Sequence, residues 1–143
     1  MPMKIVILED DKNRVEAMRN RLEERFYQFD HVFFDSASEM NKYLENFMHE
    51  IIAISLDHDL ELKSDEFGNT HDPGTGREVA EYLAKCSPAC TVVIHSTNYF
   101  GSIGMESVLQ EAGWQTCRVT PFGDLEWIHD AWFPAIRRAI VHR

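Results

Sequence analysis

Three short runs carry the groups that could do chemistry. Glu9-Asp10-Asp11 follows the apolar run Lys4-Ile5-Val6-Ile7-Leu8, Asp57-His58-Asp59 follows residues 51–56, and His95-Ser96-Thr97-Asn98 follows residues 91–94. Each apolar run has the length and composition of a fully buried strand. Acids, imidazoles and hydroxyls therefore sit at the carboxyl ends of three strands. In an open parallel α/β sheet that edge is where ligands bind. Clustered carboxylates repel one another, so they share a proton or hold a hard cation. Asp10, Asp11, Asp57 and Asp59 are the candidate metal ligands. Oxygen donors with room for water suit Mg²⁺, with Mn²⁺ or Ca²⁺ as substitutes. A simpler role stays open for the first run, because Asp10 or Asp11 also precedes a helix and could cap it.

His95 and His58 are the candidate proton-transfer groups, since imidazole beside carboxylates can exchange a proton near neutral pH. With Asp57 and Asp59 they make up the candidate catalytic set. If the third strand continues far enough, alternation points Asp57 and Asp59 to one side and His58 to the other. Ser96, Asn98 and the backbone around Gly101, which leads into a helix, could hold phosphoryl oxygens. Thr75 and Arg77 open another helix near the same edge, and a guanidinium there could clamp a phosphate. Asn98 could instead form a turn, and Arg77 could be an exposed residue of a helical first turn. His71, beside Asp72-Pro73-Gly74, reads as a polar loop residue.

These groups need a scaffold, and the chain alternates strand and helix to supply one. Val15, Met18, Leu22 and Phe26 give a helix over residues 13–26 its apolar stripe. A short strand at 31–34 follows. Ser36 with Glu39 is a capping-box pattern ahead of Met40, Leu44, Phe47 and Met48. Thr75 with Glu78 repeats that pattern, after a polar loop at 61–74. Residues 104–112 read as a helix stopped by Gly113, and 116–119 as a fifth strand. The last helix starts near Asp124, and Pro134 inside it removes the bond to the carbonyl of Asp130, which predicts a kink. Parallel neighbours need right-handed crossovers with helices on both faces. The fold class expected is α/β: a doubly wound, five-stranded parallel sheet of order 2-1-3-4-5, in a single domain over residues 1–143.

The formal net charge of −10 over 143 residues opposes nonspecific binding to nucleic acid, and no DNA partner is expected. A pocket for one phosphate or one RNA end is compatible with it. No apolar run approaches a membrane span and no signal peptide is visible, so no membrane partner and a cytoplasmic location are expected. Cys86, Cys90 and Cys117 form an odd set with no disulfide framework, in keeping with free thiols.

Over nearly its whole length this plan resembles the receiver domain of bacterial response regulators, a flavodoxin-like fold. Glu9-Asp10-Asp11 matches the receiver's metal-binding acids, Asp57 its phosphate-accepting aspartate and Ser96 its switch hydroxyl. The fifth strand departs from the pattern. Receivers end it with a lysine and a proline, whereas here Thr120 precedes Pro121. The chain is more similar to the cyclic-phosphate-processing receiver-like family, associated with RNA repair and RNA-end metabolism. The residues carrying that likeness are Leu56-Asp57-His58-Asp59-Leu60, Thr75-Gly76, and His95-Ser96-Thr97-Asn98-Tyr99-Phe100-Gly101 with Met105. The resemblance implies a metal-dependent phosphodiesterase or binder acting on 2′,3′-cyclic phosphate ends of a nucleotide or RNA. Two alternatives stand beside it: a stand-alone response regulator phosphorylated on Asp57, and a pseudo-receiver that binds a protein partner.

Overall fold

The computed structural model describes residues 2–142. Five parallel strands form the central sheet: β1 (Lys4–Leu8), β2 (Asp30–Phe34), β3 (Ile51–Leu56), β6 (Thr91–His95) and β7 (Thr116–Val119). Their spatial order is β2-β1-β3-β6-β7, the expected 2-1-3-4-5 arrangement. The β3–β6 pair is parallel, with Ala53 opposite Thr91 and Leu56 opposite Ile94. That register sets the ends of β1, β3 and β6 side by side.

Alternation along the strands divides the core in two. Val6, Leu8, Ile54, Leu56, Val92 and Ile94 face α2 (Ala37–Phe47), α3 (Gly76–Ala84) and α4 (Tyr99–Glu111). Ile5, Ile7, Val93 and Val119 face α1 (Lys12–Arg25) and α5 (Phe133–Val141). A sheet covered on both faces explains why its strands read as unbroken apolar runs. No helix among the described residues is long and apolar enough to cross a membrane.

Three local features differ from the sequence reading, and a fourth refines it. Helix α4 begins at Tyr99 rather than at residue 104, because Asn98 caps it, its carboxamide oxygen accepting from Gly101 N–H at 2.8 Å. Gly101 and Gly104 lower helix propensity and hide this first turn in the sequence. A close neighbour requires glycine at 101, where a Cβ would lie 2.7 Å from the His58 ring; at Gly104 a Cβ would meet only the movable end of Arg77, at 2.9 Å. Thr75 stands at the N-cap of α3 but its hydroxyl makes no capping bond, unlike Ser36, which accepts from Glu39 N–H. The polar loop at 61–74 contains a small antiparallel hairpin, β4 (Lys63–Ser64) with β5 (Thr70–His71). The Asp65 carboxylate organises its turn by accepting from the N–H groups of Phe67 and Asn69, both at 2.9 Å. Finally, Pro134 lies inside the last helix, as expected: the backbone is already helical from Glu126 through Trp132. The irregularity it accompanies takes the form of a wide π turn over Ile128–Trp132, in which Phe133 N–H donates to the Ile128 carbonyl.

Candidate acidic site at the carboxyl edge of the sheet

A cleft of about 300 Å³ opens at the carboxyl ends of β1, β3 and β6. Glu9, Asp10, Asp11, Arg14, Asp57, Asp59, Leu60, Glu61, Ser96 and Thr97 line it. All four carboxylates expected to hold a metal are therefore brought to one cleft, but they are not equivalent. Asp57 ends β3 and is buried; one of its oxygens accepts from His58 N–H at 2.7 Å. Asp10 accepts from Glu61 N–H. Asp11 caps α1, accepting from Arg14 N–H at 2.9 Å. The capping role left open for the first run is thus realised by Asp11. Asp59 is well exposed and accepts or shares a proton with His58 Nδ1 at 2.7 Å.

The group drawn together most tightly contains a residue outside the expected ligand set. One ligand atom each from Glu9, Asp57 and His95 lies within 4.8 Å of the others, and all three residues are buried. Glu9 holds the N–H groups of Asp10 and Asp11 on one oxygen, both at 3.0 Å. Its other oxygen faces His95 Nε2 at 3.2 Å and Arg14 Nη1 at 3.5 Å. Burial alone would raise the Glu9 carboxyl. The hydrogen bond and charge of His95, the backbone N–H of Asp11 and the charge of Arg14 outweigh it and leave Glu9 lowered. The sequence reading placed Glu9 in the first acidic run, which matches the receiver's metal-binding acids, but named only Asp10 and Asp11 of that run as ligands.

His95 was expected to reach Asp57, Asp59 or a water between them. Its hydrogen-bond partners are instead Glu9 and the Ser55 hydroxyl, the latter 2.6 Å from Nδ1. The ring has no exposed surface and lies against Trp127, with ring centres 6.0 Å apart and planes at 23°. Ser55 is fixed in turn: it donates to the Val93 carbonyl at 3.0 Å and accepts from Trp132 Nε1–H at 2.9 Å. A carboxylate opposite Nε2 requires a proton on that nitrogen. His95 thus positions Glu9 and sits in one buried group with Glu9 and Asp57 rather than on the open side of the cleft. His58 is the imidazole nearer solvent. Asp59 accepts from its Nδ1–H at 2.7 Å, and the Asn98 carboxamide lies alongside, donating to Asp59.

Of the groups expected to bind phosphate, only Ser96 lines the cleft. Its hydroxyl accepts from Asn98 N–H at 3.0 Å. Gly101 N–H is taken by Asn98, so that helix start offers it to no anion. The Asn98 carboxamide spends its Nδ2 on Asp59, at 3.2 Å. Thr75 bridges Asp59 through its backbone, and Gly76 N–H donates to the His58 carbonyl at 2.9 Å. Arg77 pairs with Glu81 at 3.0 Å on the exposed side of α3, away from the cleft. The cation that does line the cleft is Arg14, from the first turn of α1. Its guanidinium lies 3.8 Å from Asp57 and 5.1 Å from the centre of the Trp127 ring. No lysine lines the cleft among the described residues, and Thr120 is exposed at the end of β7.

Burial leaves Asp57 short of compensation. Desolvation raises its carboxyl from 3.8 to about 6, against the opposing pull of His95, the His58 N–H and Arg14, and Glu9 adds to the rise. Burial also raises Asp10. Carboxylates held in this state suit a divalent cation, which would relieve both desolvation and mutual repulsion. Asp57, Asp10 and Asp11 all line the cleft, and carboxylate oxygen is the donor type that Mg²⁺ or Mn²⁺ takes.

Solved structures with this fold are receiver domains. The phosphorylated cyanobacterial phytochrome response regulator RcpA is 18% identical, with a TM-score of 0.74, covering 100% of this chain and 97% of that one. The response regulator domain of Thermotoga maritima CheB is 14% identical, with a TM-score of 0.68, covering 99% and 98%. The Mn²⁺-bound form of response regulator Rcp1 is 18% identical, with a TM-score of 0.63, covering 92% and 94%. No curated protein matches the chain by sequence. The family model described as the cyclic-phosphate processing receiver domain matches residues 4–111. That span carries all three chemical runs and the strands that place them, and the chain belongs to the cyclic-phosphate processing receiver domain family.

Proposed function

We propose that the cleft binds the cyclic phosphate of a nucleotide or RNA end with the help of a divalent cation, and opens it by hydrolysis. The observation that carries this reading is the convergence on one 300 Å³ cleft of Asp10, Asp11 and Asp57 with a single arginine, Arg14. An all-acid cleft would repel a phosphodiester; a cation and a guanidinium make it receptive. The metal, held by Asp57 with Asp10 or Asp11, would supply charge for the phosphoryl oxygens and acidify a bound water.

The remaining roles follow from position. Arg14 is held over Trp127 and beside Asp57, so it can give N–H bonds to a phosphate in the cleft. The Ser96 hydroxyl lines the same wall. Glu9, fixed by His95, keeps the backbone of Asp10 and Asp11 in place. Hydrolysis joins a water oxygen to phosphorus, breaks one ribose P–O bond and returns a proton to the departing oxygen. His58 does not itself line the cleft; held through Nδ1 by Asp59, which does, it is the imidazole that would carry that proton from the rim.

The receiver-type alternative, phosphorylation of Asp57, loses support at the fifth strand, where Thr120 stands in place of the lysine. Calorimetric titration with adenosine 2′,3′-cyclic monophosphate in Mg²⁺ or Mn²⁺ tests the reading. Binding that needs the metal and is lost in Asp57→Ala and Arg14→Ala supports it. Metal-independent binding, or binding unchanged in both variants, refutes it.

A further inference from the structure

We propose that Phe100, backed by Tyr99, is a stacking platform for the nucleobase that adjoins the cyclic phosphate. The inference rests on the reading of the cleft given above and names the part of the substrate that the cleft itself does not touch.

Phe100 is 84% exposed and Tyr99 61% exposed. Their rings meet edge to face, with centres 5.4 Å apart and planes at 80°. The Arg118 guanidinium lies 5.9 Å from the Tyr99 ring and is tethered to Glu106 at 3.1 Å. Tyr99 is therefore braced against Phe100, whose ring stays largely in water. Neither ring is needed for the core, since the buried side of α4 is made by Ser102, Met105 and Leu109.

The position of the pair is set by the cleft. Ser96 and Thr97 line it, Asn98 bonds Asp59 at its rim, and Tyr99 and Phe100 are the next two residues. They occupy the first turn of α4, directly after the cleft-lining segment. Across the cleft, Glu61 lines the wall and the next residue, Leu62, is 65% exposed. The acidic cleft thus has apolar lips on two of its loops.

Charge and size select the occupant. A chain of net charge −10 gains little from a phosphodiester backbone, so affinity for an RNA end must come from the terminal nucleoside. Base–aromatic stacking is the interaction that supplies it without positive charge. Two side chains are also far less than the roughly 800 Å² per partner of a stable protein interface, whereas one ring face suffices for a base.

The test compares two ligands sharing the same five-membered cyclic phosphate: adenosine 2′,3′-cyclic monophosphate and glycerol 1,2-cyclic phosphate. Each is titrated with Mg²⁺ into the wild type, Phe100→Ala and Phe100→Trp. The wild type should prefer the nucleoside ligand by about 10-fold or more. Phe100→Ala should lose most of that preference while binding the glycerol ligand as before, and Phe100→Trp should keep it. Equal binding of both ligands by the wild type overturns the platform while leaving the cleft reading intact. Binding of neither overturns both. A preference retained in Phe100→Ala also overturns it, as does a wild-type dimer that this variant dissociates without changing the preference.

Discussion

At the residue scale the site turns on one uncompensated acid. Asp57 binds its proton more tightly folded than unfolded, with the folded value raised from 3.8 to about 6. The ionised form therefore weighs against folding above about pH 6, by up to about 3 kcal/mol, and this cost fades as pH falls toward 3.8. Asp57→Asn should raise the urea midpoint at pH 8 and leave it nearly unchanged at pH 4; a lower midpoint at pH 8 would count against the account. Glu9 has the opposite sign: its lowered value adds stability that is lost as pH falls through the folded value. Proton and metal compete for Asp57, so Mg²⁺ affinity should rise as pH passes upward through about 6. The two histidines should separate in the same way. His58→Ala should cut turnover of a cyclic phosphate by about 10²- to 10⁴-fold with little change in stability. His95→Ala strips Glu9 and Ser55 of a buried partner and should cost about 2–4 kcal/mol, read as a denaturant midpoint.

At the element scale, the motif residues that resemble ligands turn out to hold the loops together. A Cβ at Gly76 would sit 1.9 Å from the Asp57 carbonyl, and Gly101 seats the His58 ring in the same manner. Gly76→Ala should therefore displace the end of β3 and destabilise the protein by more than about 2 kcal/mol, while Ala at exposed Gly68 costs only its backbone strain. Asn98→Ala removes a helix cap worth about 1 kcal/mol and also releases Asp59, the partner of His58, so turnover should fall further than stability alone explains. The strands, their order and the carboxyl-edge placement of the three runs were legible because buried parallel strands leave an apolar signature and crossovers are right-handed. The start of α4 was not legible, since Gly101 within it answers to His58, a neighbour distant in sequence. Glu9 and Arg14 were hard to assign for a related reason. Their roles come from His95, Trp127 and Asp57 across the fold, and an arginine on an amphipathic helix looks the same whether it faces water or a cleft.

At the scale of the whole molecule, the chain keeps the receiver sheet and its acidic edge while altering the charge that faces a phosphate. Arg14 enters from α1, at 3.8 Å from Asp57, and no lysine lines the cleft among the described residues. Incubation with Mg²⁺ and acetyl phosphate should give little acyl phosphate on Asp57 by intact mass; rapid stoichiometric labelling would instead favour the response-regulator reading. The most direct test of the central claim is to incubate the protein, with Mg²⁺ or Mn²⁺, with a short RNA ending in a 2′,3′-cyclic phosphate and to follow the end group by mass. The account predicts metal-dependent opening to a monophosphate, adding one water, by the wild type and by His31→Ala, a control on β2 outside the cleft, and none by Asp57→Ala. An intact cyclic end after prolonged incubation with the wild type, or equal opening by Asp57→Ala, would contradict it.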